Sequence, residues 1–227
     1  MTSALALVLA LAARPVDAQS LTGTTGLVTI PTARMAEDRT LLVGAHLVDR
    51  RHHNSPYGDN AAVVEFATLG FLPFVEVGLR LTRVVDAPNQ GLGDRMVSVR
   101  LRVLEEGAYR PAVVVGAHDL VGTRIYHSTY VVASKEVARV PVLGSVGAHL
   151  GHGGRWTSLK VEGRQFDGTF GGVSVAPRPW VTLLAEHDAE RLNAGVRLRL
   201  LRRITLLGAL HDLKDLSGGV GYTHPLR

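Results

Sequence analysis

The chain has 227 residues, 46% of them hydrophobic and only 5% aromatic, with 25 glycines and a formal net charge of +5. That length fits one domain, and the glycine-rich, aliphatic composition suits a many-turned sheet better than an aromatic-cored enzyme. Cysteine is absent, which excludes disulfides, thiolate metal sites, a cysteine nucleophile and an acylated lipoprotein cysteine within these residues; the basic residues form no tail or basic helix, which speaks against nucleic acid as a partner.

In chain order, residues 4–13 (ALALVLALAA) form an apolar run of signal-peptide length, and Val16-Asp17-Ala18 is a small-x-small cleavage site. Residues 1–18 therefore read as an export signal, and ten apolar residues are too short to span a bilayer as a helix. Residues 19–39 are rich in Gly, Thr and Pro and read as a cap or plug. They hold a short strand at 26–30, stopped by Pro31, and a helical turn at 33–37. The barrel-like region runs over 40–227. Its strands are expected at 40–48, 61–68, 74–83, 95–104, 110–118, 126–134, 142–150, 172–176, 180–187, 191–200, 204–211 and 216–224, with a flexible turn at 151–155. No segment sustains a helical period. The crossovers that a parallel sheet requires are missing, so the class is all-β, an antiparallel sheet of roughly 10–12 strands.

The alternation is strongest at 74–83 and 95–103. Val75, Val77, Leu79 and Leu81 share one face and Glu76, Gly78, Arg80 and Thr82 the other; Val97, Val99, Leu101 and Val103 then oppose Ser98, Arg100 and Arg102. Residues 191–200 repeat the scheme, with Arg197 and Arg199 on the polar face. A face of full charges backed by branched aliphatics fits either a soluble sandwich or a transmembrane-type barrel with lipid outside and charges within. Acidic residues at Glu65, Glu76, Glu186, Asp188 and Glu190 are available to pair with the arginines. Export and alternating short and long links favour the barrel. Its aromatic girdle would draw on Phe66, Phe71, Phe74, Tyr109, Tyr126, Tyr130, Trp156, Phe166, Phe170, Trp180 and Tyr222.

Five stretches carry a family resemblance: 25–35 (TGLVTIPTARM), 71–80 (FLPFVEVGLR), 93–100 (GDRMVSVR), 115–123 (VGAHDLVGT) and 185–195 (AEHDAERLNAG). Through them the chain resembles the YjbH family of outer-membrane β-barrel proteins associated with exopolysaccharide biosynthesis. The resemblance implies a non-catalytic outer-membrane barrel that supports exopolysaccharide production or export. Outer-membrane lipid and an anionic polysaccharide or polysaccharide secretion proteins are then its partners. The family's larger members carry additional periplasmic or second-barrel regions.

No catalytic, cofactor-binding or metal-ligating set is assigned. Gly-x-Ser-x-Gly is absent, and His118-Asp119, His187-Asp188 and His52-His53 are read as hydrogen-bonding or loop groups. The lumen-facing polar set is Glu76, Arg80, Arg100, Arg102, Arg197 and Arg199, either salt-bridged to one another or in contact with an anionic glycan. Two other classes compete. One is a soluble periplasmic binding or scaffold protein of a polysaccharide secretion system. The other is a glycan-modifying enzyme working through Glu76, Glu186 or Asp188.

Overall fold

A computed structural model describes residues 19–49, 60–85, 93–154 and 165–227. The export signal, His52-His53, Trp156 and most of the 155–165 segment lie outside these residues. Twelve strands are described: β1 (Thr40–Val48), β2 (Ala62–Gly70), β3 (Val75–Val84), β4 (Asp94–Leu104), β5 (Ala112–Gly122), β6 (Ser128–Val140), β7 (Gly144–Gly154), β8 (Gly168–Arg178), β9 (Val181–His187), β10 (Leu192–Leu200), β11 (Ile204–His211) and β12 (Asp215–Pro225). Each pairs antiparallel with its sequence neighbour, and β1 pairs with β12 from Thr40↔Pro225 to Leu47↔Gly218, so the sheet closes and has no free edge.

The three longest links all join strands at the same end of the barrel. Links 71–74, 141–143, 179–180 and 201–203 lie at one end, together with the start of β1 and the end of β12. The strand ends joined by the longest links, 49–61, 85–93 and 155–167, are at the other. These are called the short-link and long-link ends below.

Period-two alternation places the charged face inside. On β3, Glu76, Arg80, Thr82 and Val84 are buried, whereas Leu79 is exposed. Exposed aliphatics continue round the outside as Leu101, Val115, Val131, Leu150, Val173, Leu183, Val196, Leu206 and Val220, one on each strand from β4 to β12, with Leu47 on β1. The exposed aromatic residues Phe71, Phe74, Tyr109, Trp180 and Tyr222 all sit at or next to the short-link end.

Several sequence expectations are corrected. β6 runs six residues past Ser134, and residues 151–154 belong to β7 rather than to a turn. Residues 26–30 form no strand, only the isolated bridges Gln19↔Thr25 and Gly26↔Pro31, and 33–37 form no helical turn. Their polar backbone groups bond instead to side chains of the barrel wall, which outcompete regular structure for this short segment. Glu65 faces outward and pairs with Arg83 on the outer surface. Phe66, Tyr126, Tyr130, Phe166 and Phe170 are buried, so they fill the interior instead of forming a girdle. Tyr130 can lie flat against the wall because its neighbour across the β5–β6 pairing is Gly116, where any Cβ would collide with the tyrosine ring.

The interior is packed by residues 19–36, nearly all buried. Leu21, Leu27, Val28, Ile30, Ala33 and Met35 from this segment join Val64, Val114, Val132, Phe170, Leu184 and Leu207 from the walls in one apolar cluster. The barrel core is thus formed by side chains of the strands closing on a strap of their own chain.

Candidate functional site

The strap is held from two opposite walls. On the β3–β4 wall, Glu76 is 1% exposed. Its Oε2 accepts hydrogen bonds from Thr25 Oγ1 at 2.7 Å and the Ala36 amide at 2.8 Å, while Oε1 accepts from Arg100 Nη1 at 2.7 Å. The Arg100 guanidinium also donates to the carbonyls of Thr32 and, at 3.1 Å, Arg34. One ion pair therefore grips the strap at its middle, Thr25, and over its last residues, Thr32 to Ala36. Register explains why: Glu76 and Arg100 are direct cross-strand partners with their side chains on the inner face.

Six strands away round the ring, the β9–β10 wall holds the strap through Glu186 and Arg197, which are not cross-strand partners: Glu186 faces Asn193 and Arg197 faces Thr182. Residues 26–31 turn back on themselves, with Leu27 N donating to Ile30 O at 3.0 Å. A Cβ at Gly26 would collide with the Ile30 carbonyl oxygen, so this turn requires glycine. At its tip the amides of Val28, Thr29 and Ile30 converge on the Glu186 carboxylate at 2.8, 2.8 and 3.3 Å. Successive amides of this kind make a concave anion seat. Asn193 Nδ2 donates to the same carboxylate at 3.1 Å, and Arg197 Nη2 donates to the carbonyls of Gly26 and Leu27 at 2.7 and 2.9 Å.

Further contacts complete the cradle. The Ala33 amide donates to Ser134 Oγ at 2.7 Å; that hydroxyl lies 2.8 Å from His149 Nδ1, and His149 Nε2 lies 3.1 Å from Ser174 Oγ. Thr68 Oγ1 donates to Gly23 O at 3.0 Å. Arg80 is bonded to Asp94 at 2.9 Å and to Thr22 O at 3.4 Å, and its guanidinium lies 5.1 Å from the Tyr126 ring centroid.

Glu76, Arg80, Arg100 and Arg197 are thus brought together around the strap. Arg102 sits at the short-link rim, donating to Pro73 O at 3.2 Å, and Arg199 is half-buried near the same rim. The sequence offered Glu186 as one of five acidic partners and as one carboxylate of a competing enzyme reading, but not as a strap ligand, and it did not mark Asn193, Ser134 and His149 as strap ligands either. The available signal was their inward parity on β10, β6 and β7. The His-Asp pairs have structural surroundings: His118 lies between Ser98 Oγ and Gln165 Oε1, Asp119 accepts from the Tyr126 amide, and Asp188 accepts from the Glu190 and Arg191 amides of its own turn. Among the described residues no group of three or more His, Asp or Glu could hold a metal ion.

Among the described residues, spaces lie on both sides of the strap. At the short-link end an open vestibule of about 1200 Å³ is bordered by Arg34, Glu37, Arg39, Arg102, Glu106, Lys135 and Arg202. At the long-link end a cavity of about 90 Å³ is bordered by Thr22, Arg80, Tyr126, Gln165, Asp167, Asp188, Glu190 and Arg191.

A family model described as "Exopolysaccharide biosynthesis protein YbjH" matches residues 18–197. Over 126 residues the chain is 33% identical to a protein of Escherichia coli (strain K12) named "Uncharacterized lipoprotein YjbH"; the match covers 52% of this chain and 16% of that protein. The chain therefore corresponds to a small part of this relative's length.

Proposed function

Because the chain belongs to the YjbH family of exopolysaccharide biosynthesis proteins, we propose that it is a non-catalytic barrel seated in the outer membrane, where it acts as a plugged scaffold or binding component of an exopolysaccharide machinery and not as an open conduit. The observation that carries the membrane placement is the inversion of the usual arrangement. Buried charges such as Glu76, Arg80 and Arg100 line the inside, and exposed aliphatics ring the outside. In water such a ring is a large apolar patch of the kind that marks a membrane or protein interface. Against lipid it is the ordinary outer surface of a barrel. Most strands have 8 to 11 residues, close to what a tilted transmembrane strand needs. The aromatic residues at the short-link end suit a membrane–water interface.

The scaffold role rests on the strap. Glu76, Glu186, Arg100 and Arg197 are engaged by its backbone. The arginines expected to meet an anionic glycan in an open lumen are thus bonded to the protein's own chain.

A second reading is favoured by the name of the Escherichia coli relative, a lipoprotein. In that reading the barrel is a periplasmic scaffold of the secretion system, and its aliphatic ring is covered by protein. Fractionation of native cells, combined with heat-modifiable migration of the extracted protein, separates the two. Recovery from the outer membrane, with a folded band that shifts on boiling, supports the membrane barrel. Recovery as soluble periplasmic protein overturns it in favour of the second reading. In either case, loss of the protein should reduce exopolysaccharide output.

A further inference from the structure

The vestibule at the short-link end is lined by described residues, and its charges do not cancel. On the side from β4 to β6 the carboxylates are spent on nearby cations. Glu105 lies 3.9 Å from Arg102, Glu106 3.0 Å from Lys135 and Glu136 3.1 Å from Arg139. Across the mouth, Arg39, Arg202 and Arg203 are exposed on the links around β1, β12 and β11, which are neighbours in the closed ring. Only Glu37 and Asp38 stand against them in the lining, and Asp38 already accepts from the Leu72 amide at 2.8 Å. Arg203 donates to the uncharged Tyr222 hydroxyl at 3.3 Å.

The decisive group is on the floor. Arg34 sits between Ala33 and Met35, both 1% exposed, and its backbone is fixed, since the Ala33 amide is bonded to Ser134 and the Arg34 carbonyl to Arg100. Its side chain runs over Gly147 on β7, where a Cβ would come 3.5 Å from Arg34 Nη2 and 2.6 Å from Ser174 Oγ. The missing side chain at Gly147 leaves the guanidinium its room against the wall. Among the described residues this half-buried guanidinium has no carboxylate or hydrogen-bond partner. Five N–H donors and a full charge drawn partly out of water call for an acceptor, and the planar fork fits a carboxylate bidentately. The vestibule, at about 1200 Å³, exceeds the roughly 300–1,000 Å³ of a small-molecule pocket, so it has room for a run of sugar rings beside that one acid group.

We infer that the vestibule binds a carboxylate-bearing segment of the exopolysaccharide, with one acid group seated on Arg34 and the flanking units against Arg39, Arg202 and Arg203. The inference rests on the exopolysaccharide reading above and names the ligand class for it. Residues 33–36 form the floor, so the segment is held at the short-link face.

The test is calorimetric titration of the folded, detergent-extracted protein with oligogalacturonate, a malto-oligosaccharide of the same length and inorganic phosphate. Oligogalacturonate should bind, more weakly as salt is raised, and the neutral oligomer should not. R34Q should weaken binding about tenfold, the loss of one charge-assisted pair. R39Q and R202Q, at exposed positions, should each weaken it about twofold to fivefold. E37Q should tighten it. R178Q, which changes an exposed arginine outside the vestibule, should leave it unchanged. The side chains of Arg34, Arg39 and Arg202 make no bond among the described residues that folding would miss, so these variants should keep heat-modifiable migration. Absence of oligogalacturonate binding overturns the inference, as does equal binding of the neutral oligomer. An R34Q protein that binds normally overturns it too, as does a loss in R178Q as large as that in R202Q. Tighter binding of phosphate than of oligogalacturonate replaces the carboxylate ligand with a phosphate-bearing one. A protein that fractionates with the outer membrane and supports polysaccharide output but fails here loses the vestibule site and keeps the scaffold role; one that binds oligogalacturonate but is recovered as soluble periplasmic protein keeps the site and loses the membrane placement.

Discussion

Arg100 Nη1 lies 2.7 Å from Glu76 Oε1, both side chains are 1% exposed, and each is also bonded to the strap. The pair is therefore part of the surface that recognises residues 25–36 and cannot be removed from one side cheaply. Truncating either residue leaves the other as a buried, uncompensated charge, which costs about 3–5 kcal/mol. We expect R100A and E76A each to lower the temperature at which the folded band converts on heating. The double variant E76L/R100M should lose less than the sum of the two, because no orphan charge remains. Additive losses would show that the two residues act independently.

Glu186 receives three consecutive strap amides. Glu186→Gln keeps the shape but replaces one accepting oxygen with an NH2 that opposes those N–H groups. With hydrogen bonds to a charged group contributing about 1.5–3 kcal/mol each, the tip of the strap should loosen well before the barrel does. Hydrogen exchange at Val28–Ile30 should accelerate by at least tenfold, while exchange in β5 and β6 stays unchanged. Uniform acceleration across the barrel would mean that strap and wall unfold as one unit.

The outward aliphatics give the sharpest test of membrane placement. Leu79 is 46% exposed and sits near mid-strand on β3. An arginine facing lipid at midplane costs about 2–4 kcal/mol, so L79R and V196R should reduce recovery of folded, heat-modifiable protein from the outer membrane. Adding a charge at Val63, next to the outward Glu65–Arg83 pair towards the long-link rim, should be tolerated. Equal tolerance at all three positions would place the ring in water or against a polar partner.

The strap predicts an electrically silent barrel. Purified protein in planar bilayers should show no steady ion conductance, because residues 19–36 fill the cross-section between the β3–β4 and β9–β10 walls. A variant combining E76Q with E186Q, which weakens both grips, should show intermittent openings. Steady conductance of the unmodified protein would refute the plugged reading.

The alternation of Val75 to Thr82 and of Arg191 to Leu200 determined, from the sequence alone, that the chain is an antiparallel all-β protein with charges on one sheet face, because a strand's side chains must alternate. Local composition also marked residues 19–39 as distinct from the strands. The tertiary structure decided the rest, because it depends on contacts between residues remote in sequence. Closure required β1 to meet β12, a pairing that no local pattern encodes. Glu65 and Glu76 look alike in sequence, yet their opposite parity on β2 and β3 sends one outside to Arg83 and the other inside to Arg100. Glu186 became a strap ligand because ring closure set it opposite Glu76, 110 positions earlier in the chain, with the same short segment between them.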